Sequence, residues 1–168
     1  MSGGQHTDRF LTHFDDEKGE HHMSTITTTD VESATERQAL AELGKFFQLH
    51  ADRTAAGDTS LMPMFSGRID AAWHRLNDDP QACAQFCTDH AGRQVTHVST
   101  LGRGFVQWTS DYEARFGALP VIWFAAATGS INQAAYELYR STGRVEASWN
   151  CGPGGGDGDG SVTEDTTA

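Results

Sequence analysis

Asn77-Asp78-Asp79-Pro80-Gln81-Ala82-Cys83-Ala84-Gln85-Phe86-Cys87-Thr88-Asp89-His90-Ala91-Gly92-Arg93-Gln94-Val95-Thr96-His97-Val98-Ser99 decides the fold class of this chain, because its periodicity changes partway through. The first half reads as a helix with both ends marked. Asp79 supplies an N-cap, Pro80 suits the first helical position, where no N–H is needed, and Gly92 supplies the left-handed exit. Beyond Gly92 the helical spacing gives way to alternation, with Val95 and His97 on one face, the signature of a half-buried strand.

Upstream the pattern is helical. Val31 to about Asp52 is rich in helix formers and sets Leu40, Leu43, Phe47 and His50 on one side before Gly57 and Asp58 end it. A second helix is expected from Pro63 or Ser66 to Leu76, with Phe65, Ile69, Ala72, Trp73 and Leu76 as its stripe. Downstream, Val95–Ser99 and Phe105–Thr109 read as a hairpin around Thr100-Leu101-Gly102-Arg103-Gly104. Ser110-Asp111-Tyr112-Glu113 matches a capping box for a short helix ending at Gly117. Val121 to Phe124 suits a buried strand, Ser130 a cap for a helix to Arg140, and Val145 to Trp149 a last strand. The expectation is an α+β fold: about three N-terminal helices, then a small, mainly antiparallel sheet with two interleaved short helices.

The block from Phe65 to Trp149 holds all four tryptophans, all three tyrosines and two of the three cysteines. Residues 31–150 are therefore expected to form one globular domain, and roughly 85 to 115 residues are enough for a stable core. Residues 1–30 and the Gly/Asp-rich stretch 151–168 are too poor in apolar side chains to offset the entropy of ordering and are expected to be disordered. Two readings of the N-terminus stand side by side. Glu17-Lys18-Gly19-Glu20-His21-His22 can be encoded with a purine-rich AAGGGAGAA shortly before the Met23 codon, as a translated ribosome-binding site would be. Translation then starts at Met23; otherwise residues 1–22 are an ordinary polar tail.

The formal charge of −11 lies mostly at the ends, since residues 30–149 carry 14 acidic and 10 basic side chains, a net of −4. An acidic chain lacks the basic footprint that non-specific nucleic-acid or anionic-lipid binding needs. No apolar run reaches the roughly 18 residues of a membrane span. No secretory leader opens the chain and three cysteines make no disulfide framework, so a soluble, cytoplasmic protein is expected. Two lysines against ten arginines, with abundant alanine, fit the codon bias of a GC-rich bacterial genome.

Among features that could carry chemistry, Cys83, Cys87 and His90 stand at i, i+4 and i+7 on one helical face, close enough to share a zinc ion. His97 or His74 is a candidate fourth ligand. The competing reading makes the two cysteines small core residues beside Phe86, with His90 at the helix end. Three helices before a hairpin follow the element order of a winged helix, but the would-be recognition helix carries an acid and no base, against DNA binding. Gly102-Arg103-Gly104 lacks the further glycine, the helix and the lysine of a phosphate loop. His97 with Asp111 or Glu113 is an acid/base pair in outline only, and no catalytic residue is assigned. Asp157-x-Asp159-x-Ser161 lacks the glycine and spacing of a calcium loop.

The dense aromatic set Trp108, Tyr112, Trp123, Phe124, Tyr136, Tyr139 and Trp149 supplies the last candidates. Trp108, Tyr112, Trp123 and Phe124, with Arg103 at the hairpin tip, are expected as an interface to a protein partner, where amphipathic aromatics are enriched. The stretch from about Ile69 to Cys151 resembles small proteins of high-GC actinobacteria of no assigned activity. The resemblance rests on Trp73-His74, Asp79-Pro80, Gly102-Arg103-Gly104, Trp108, Leu119-Pro120, Trp123-Phe124, Thr142-Gly143 and Ser148-Trp149-Asn150-Cys151, and it implies no catalytic residues. The leading expectation is a non-enzymatic protein-binding or accessory module. The alternatives are a zinc protein built on Cys83, Cys87 and His90, and a substrate of a peptide-modifying system whose tail is processed from Cys151.

Overall fold

The computed structural model describes residues 28–154. The expectations for residues 1–27 and 155–168, including a start at Met23, concern residues outside this range. In chain order the elements are α1 (Thr28–Ala55), α2 (Gly67–Asn77), α3 (Pro80–Ala91), β1 (Thr96–Phe105), α4 (Thr109–Phe116), a 3-10 helix (Val121–Phe124), α5 (Gln133–Thr142) and β2 (Glu146–Gly154). The fold is α+β: five α-helices with a two-stranded antiparallel sheet.

The helical part follows the sequence closely. Helix α1 buries Ala39, Leu43, Phe46 and Phe47, whose three- and four-residue spacing makes a single apolar stripe. Helix α2 is capped by Ser66, whose Oγ accepts from the Ile69 N–H and donates to the Ile122 carbonyl, and it buries Ile69, Ala72 and Trp73. Helix α3 has the expected ends, with Asp79 Oδ1 accepting from the Gln81 and Ala82 N–H groups and Gly92 at φ 67°. Around Phe46 the rings of Trp73, Trp108 and Trp123 gather at 5.1–6.4 Å. Buried Glu42 is satisfied there by the Tyr112 hydroxyl, the Trp123 N–H at 2.9 Å and the Lys45 ammonium at 2.7 Å.

Four expectations about the second half are corrected. The stretch 95–109 makes no hairpin: 96–105 is one strand whose partner is the C-terminal 146–154, paired from Thr96↔Gly154 to Phe105↔Glu146. Gly102 and Gly104 therefore do not turn the chain. Between Ser99 and Gly102 β1 carries one extra residue, a bulge, and a Cβ on Gly102 would lie 2.6 Å from the Trp149 ring, so glycine admits that ring across the ribbon. With the hairpin goes the winged-helix order.

Val121–Phe124 is a 3-10 turn after Pro120, closed by Trp123 N–H to the Pro120 carbonyl at 3.1 Å. A short buried apolar run has no periodicity to separate strand from helix. The capping boxes also move. Ser110 caps nothing, since α4 starts at Thr109 with its Glu113 bonded to the Tyr139 hydroxyl, and Asn132, not Ser130, caps α5. Finally, the ordered chain runs past 150: Cys151 and Gly152 are buried in β2, and the Met64 N–H donates to the Cys151 carbonyl at 3.0 Å. Cys151, where the tail of the processing alternative begins, is thus itself part of β2. Among the described residues no helix is long and apolar enough to cross a membrane.

Candidate metal centre

The residues singled out by spacing are not gathered into one site. Cys83 points its thiol at Asn77 Oδ1, 3.2 Å away at the α2–α3 corner, while Cys87 points at the Val95 carbonyl at 3.7 Å. Burial and the neighbouring Cys87 push the Cys83 thiol up. His90 lies over Phe86, 4.3 Å between rings, with Nδ1 3.3 Å from Gln48 Nε2. Its ring fills the space above Gly44, where a Cβ would come within 2.6 Å. His90 packs α3 onto α1 while the two thiols face Asn77 and Val95, and the expected Cys83–Cys87–His90–His97 set is corrected on that ground. The expected interface fares likewise. Trp108, Tyr112 and Trp123 are fully buried and Phe124 nearly so; they are the core itself. Arg103 stays exposed on β1, 3.9 Å from Glu146.

His97 has a different partner. Its Nε2 lies 2.8 Å from Asp70 Oδ1, and the same oxygen accepts from the Cys151 thiol at 3.0 Å. Asp111 and Glu113, once weighed for His97, are committed to Arg53 and Tyr139. The three donor atoms of Asp70, His97 and Cys151 all lie within 4.8 Å of one another, the group of His, Cys and acidic side chains so clustered among the described residues.

Each side chain arrives by a separate route. Asp70 is in the first turn of α2, a position favoured for a carboxylate by the helix dipole. His97 and Cys151 come from β1 and β2. Cys151 pairs with Ser99 in the ladder, and His97 is two residues from Ser99, so both project from the same face of the ribbon. The backbone of Cys151 is gripped on both sides, by the β1 ladder and by Met64. Gly152 follows it because a side chain there would meet the Met62 carbonyl at 2.8 Å. The Trp73 ring lies edge-on to His97 at 4.6 Å and fixes its plane.

The electrostatics disfavour a cysteine nucleophile. Burial, then the hydrogen bond and charge of Asp70, push the Cys151 thiol up, whereas an activated cysteine has its pKa lowered by a cation or an imidazole partner. A divalent cation reverses that balance by drawing the proton off the thiol. The separations suit one. Zinc bonds of about 2.0–2.3 Å in a tetrahedron place neighbouring donors about 3.3–3.8 Å apart, so Asp70, 2.8 Å from His97 and 3.0 Å from Cys151, would have to withdraw from each by about half an ångström. Asp70 also lines an open cavity of about 780 Å³ together with His74, Arg75, Asp78, Ser148, Trp149 and Asn150.

Of this centre the sequence had pointed to His97 as a ligand and to His74 as an option. Asp70, four residues before His74 on one helix face, was the legible signal that went unused. Cys151 had none, because its partner is 81 residues away. No family model matches this chain, and no curated protein or solved structure matches it either.

Proposed function

We propose that this protein binds a divalent transition metal, zinc by its donor set, at Asp70, His97 and Cys151. The observation that carries the reading is the convergence of one thiol, one imidazole and one carboxylate from three chain segments within 4.8 Å. Mixed S, N and O donors suit zinc rather than calcium or magnesium, which take oxygen alone. The test is the zinc content and titration calorimetry of the full-length chain beside Cys151→Ser, His97→Ala and the Cys83→Ser/Cys87→Ser pair. The expected result is one equivalent lost in the first two and kept in the third. Zinc bound by His21-His22 would persist in every variant and so drops out of the comparison. Equal zinc in wild type and Cys151→Ser overturns the reading.

A second reading, the accessory module, now rests on other residues. Leu101 (90% exposed), Phe105 (56%) and Val98 (40%) stand out on β1. A partner that co-purifies from the native host with wild type but not with Leu101→Ser/Phe105→Ser, at unchanged metal content, supports it; identical co-purification by both removes it.

A further inference from the structure

His74 sits one helical turn beyond Asp70, with its Nε2 3.5 Å from Asp70 Oδ2. Its ring centroid is 4.4 Å from that of His97. Asp70 is thus a hub: one oxygen faces His97 and Cys151, and the other faces His74. Two of the four side chains come from one face of α2 and two from one face of the β1–β2 ribbon. We infer that His74 is the fourth ligand of the zinc centre, so that helix and ribbon contribute two donors each and the metal latches one onto the other. This rests on the metal-binding reading above and goes beyond it, because it assigns the centre a closed, structural character and ties the seating of the ribbon to metal availability.

Three considerations support the assignment. Asp70 and His74 are at i and i+4, the spacing that sets two side chains side by side on a helix. The His74 side chain is 61% exposed, so rotation about its own bonds can bring it toward Asp70 and His97. Finally, structural zinc sites are closed by four protein ligands, whereas catalytic ones keep an open position for water. Here Asp70 and His74 both line the open cavity beside the cluster. Turned toward the cluster, His74 would complete a set of four protein ligands.

The latch has a mechanical consequence. No residue of β1 is fully buried, and β2 buries only Cys151 and Gly152. A two-stranded ribbon is marginal without support. A metal shared between α2 and both strands supplies that support where apolar burial does not.

Cobalt(II) tests the inference, because it adopts zinc's geometry and its visible spectrum reports coordination number and thiolate ligation. Full-length wild type is expected to give a four-coordinate, thiolate-bearing spectrum that azide and imidazole leave unchanged. His74→Ala, an exposed change with no core to disturb, is expected to bind cobalt at least about tenfold more weakly, since even outer-shell changes cost 10–100-fold. Its spectrum should respond to azide, and imidazole should restore the wild-type form. Metal should slow amide exchange in residues 96–105 of wild type and do so much less in His74→Ala. A wild-type spectrum that shifts with azide, or unchanged affinity in His74→Ala, overturns the fourth-ligand assignment while leaving the metal site standing. Wild type that takes up neither cobalt nor zinc defeats the reading beneath it.

Discussion

The helical core and the β1–β2 ribbon are stabilised in different ways. The core is over-determined: Phe46, Trp73, Trp108 and Trp123 touch one another at several angles, and each polar atom of the Glu42 carboxylate has a partner. The ribbon has its own ladder, buried anchors just outside its strands at Val95, Val106 and Val145, and the polar hub at Asp70. It leaves Leu101 and Phe105 in solvent. One region is held by apolar area, which is always present. The other is held by its ladder, three valine anchors and a polar cluster at Asp70.

The largest effect that sharpens this contrast is in the core. Trp108→Ala removes a fully buried indole and its 2.9 Å hydrogen bond to the Pro63 carbonyl. Urea denaturation should show a loss of about 3–5 kcal/mol. A loss below about 1 kcal/mol would mean that the core is looser than its packing indicates.

Next comes the ribbon's conditional support. Free zinc at a hundredfold excess over its dissociation constant should raise unfolding stability by about 2.7 kcal/mol in wild type. Cys151→Ser should show no such gain. Equal gains in both would erase the distinction between the regions as drawn here.

A smaller effect belongs to the bulge. Gly102→Ala sets a Cβ against the Trp149 ring, and overpacking of this kind costs about 1–3 kcal/mol. The damage should be local: faster amide exchange in β1 and β2, with the exchange of α1 and α2 unaltered. Loss of protection in α1 would show that ribbon and core unfold as one unit.

The smallest is a pH effect confined to the core side. Burial, then the hydrogen bond to Glu113, push the Tyr139 hydroxyl up to about 12. A folded pKa above the ordinary tyrosine value of about 10 means that the folded state holds its proton longer than the unfolded chain does. The contribution is complete below about pH 10 and lost as pH rises through about 12. Tyr139→Phe should therefore flatten the stability profile across that window, as read by urea midpoints at successive pH values. An unchanged slope would remove the tyrosine from the account.

Much of the helical half was legible because its signals are local. Asp79-Pro80 and Gly92 fix α3 from three residues at its ends, and the stripe of Ile69, Ala72 and Trp73 fixes the buried face of α2. The strand at Val95–Ser99 was legible as a strand but not in its pairing. Gly102-Arg103-Gly104 resembles a turn in sequence, and nothing local states that its glycines serve the Trp149 ring instead. The aromatic residues read as an interface for the same reason: composition counts tryptophans but does not say which way they face.

The sequence by itself determined the class of the fold, the limits of α3, the buried face of α2 and the concentration of aromatic residues in one block, since caps, periodicity and burial tendency act within a few residues of chain. Only the tertiary structure decided that 146–154 pairs with 96–105, that Trp108 and Trp123 are core, and that Asp70, His74, His97 and Cys151 meet while Cys83, Cys87 and His90 do not. A helical face keeps spaced residues on one side but does not choose which neighbour they meet. Convergence across 27 and 81 residues of sequence is set by how helix and ribbon pack, which no local spacing encodes.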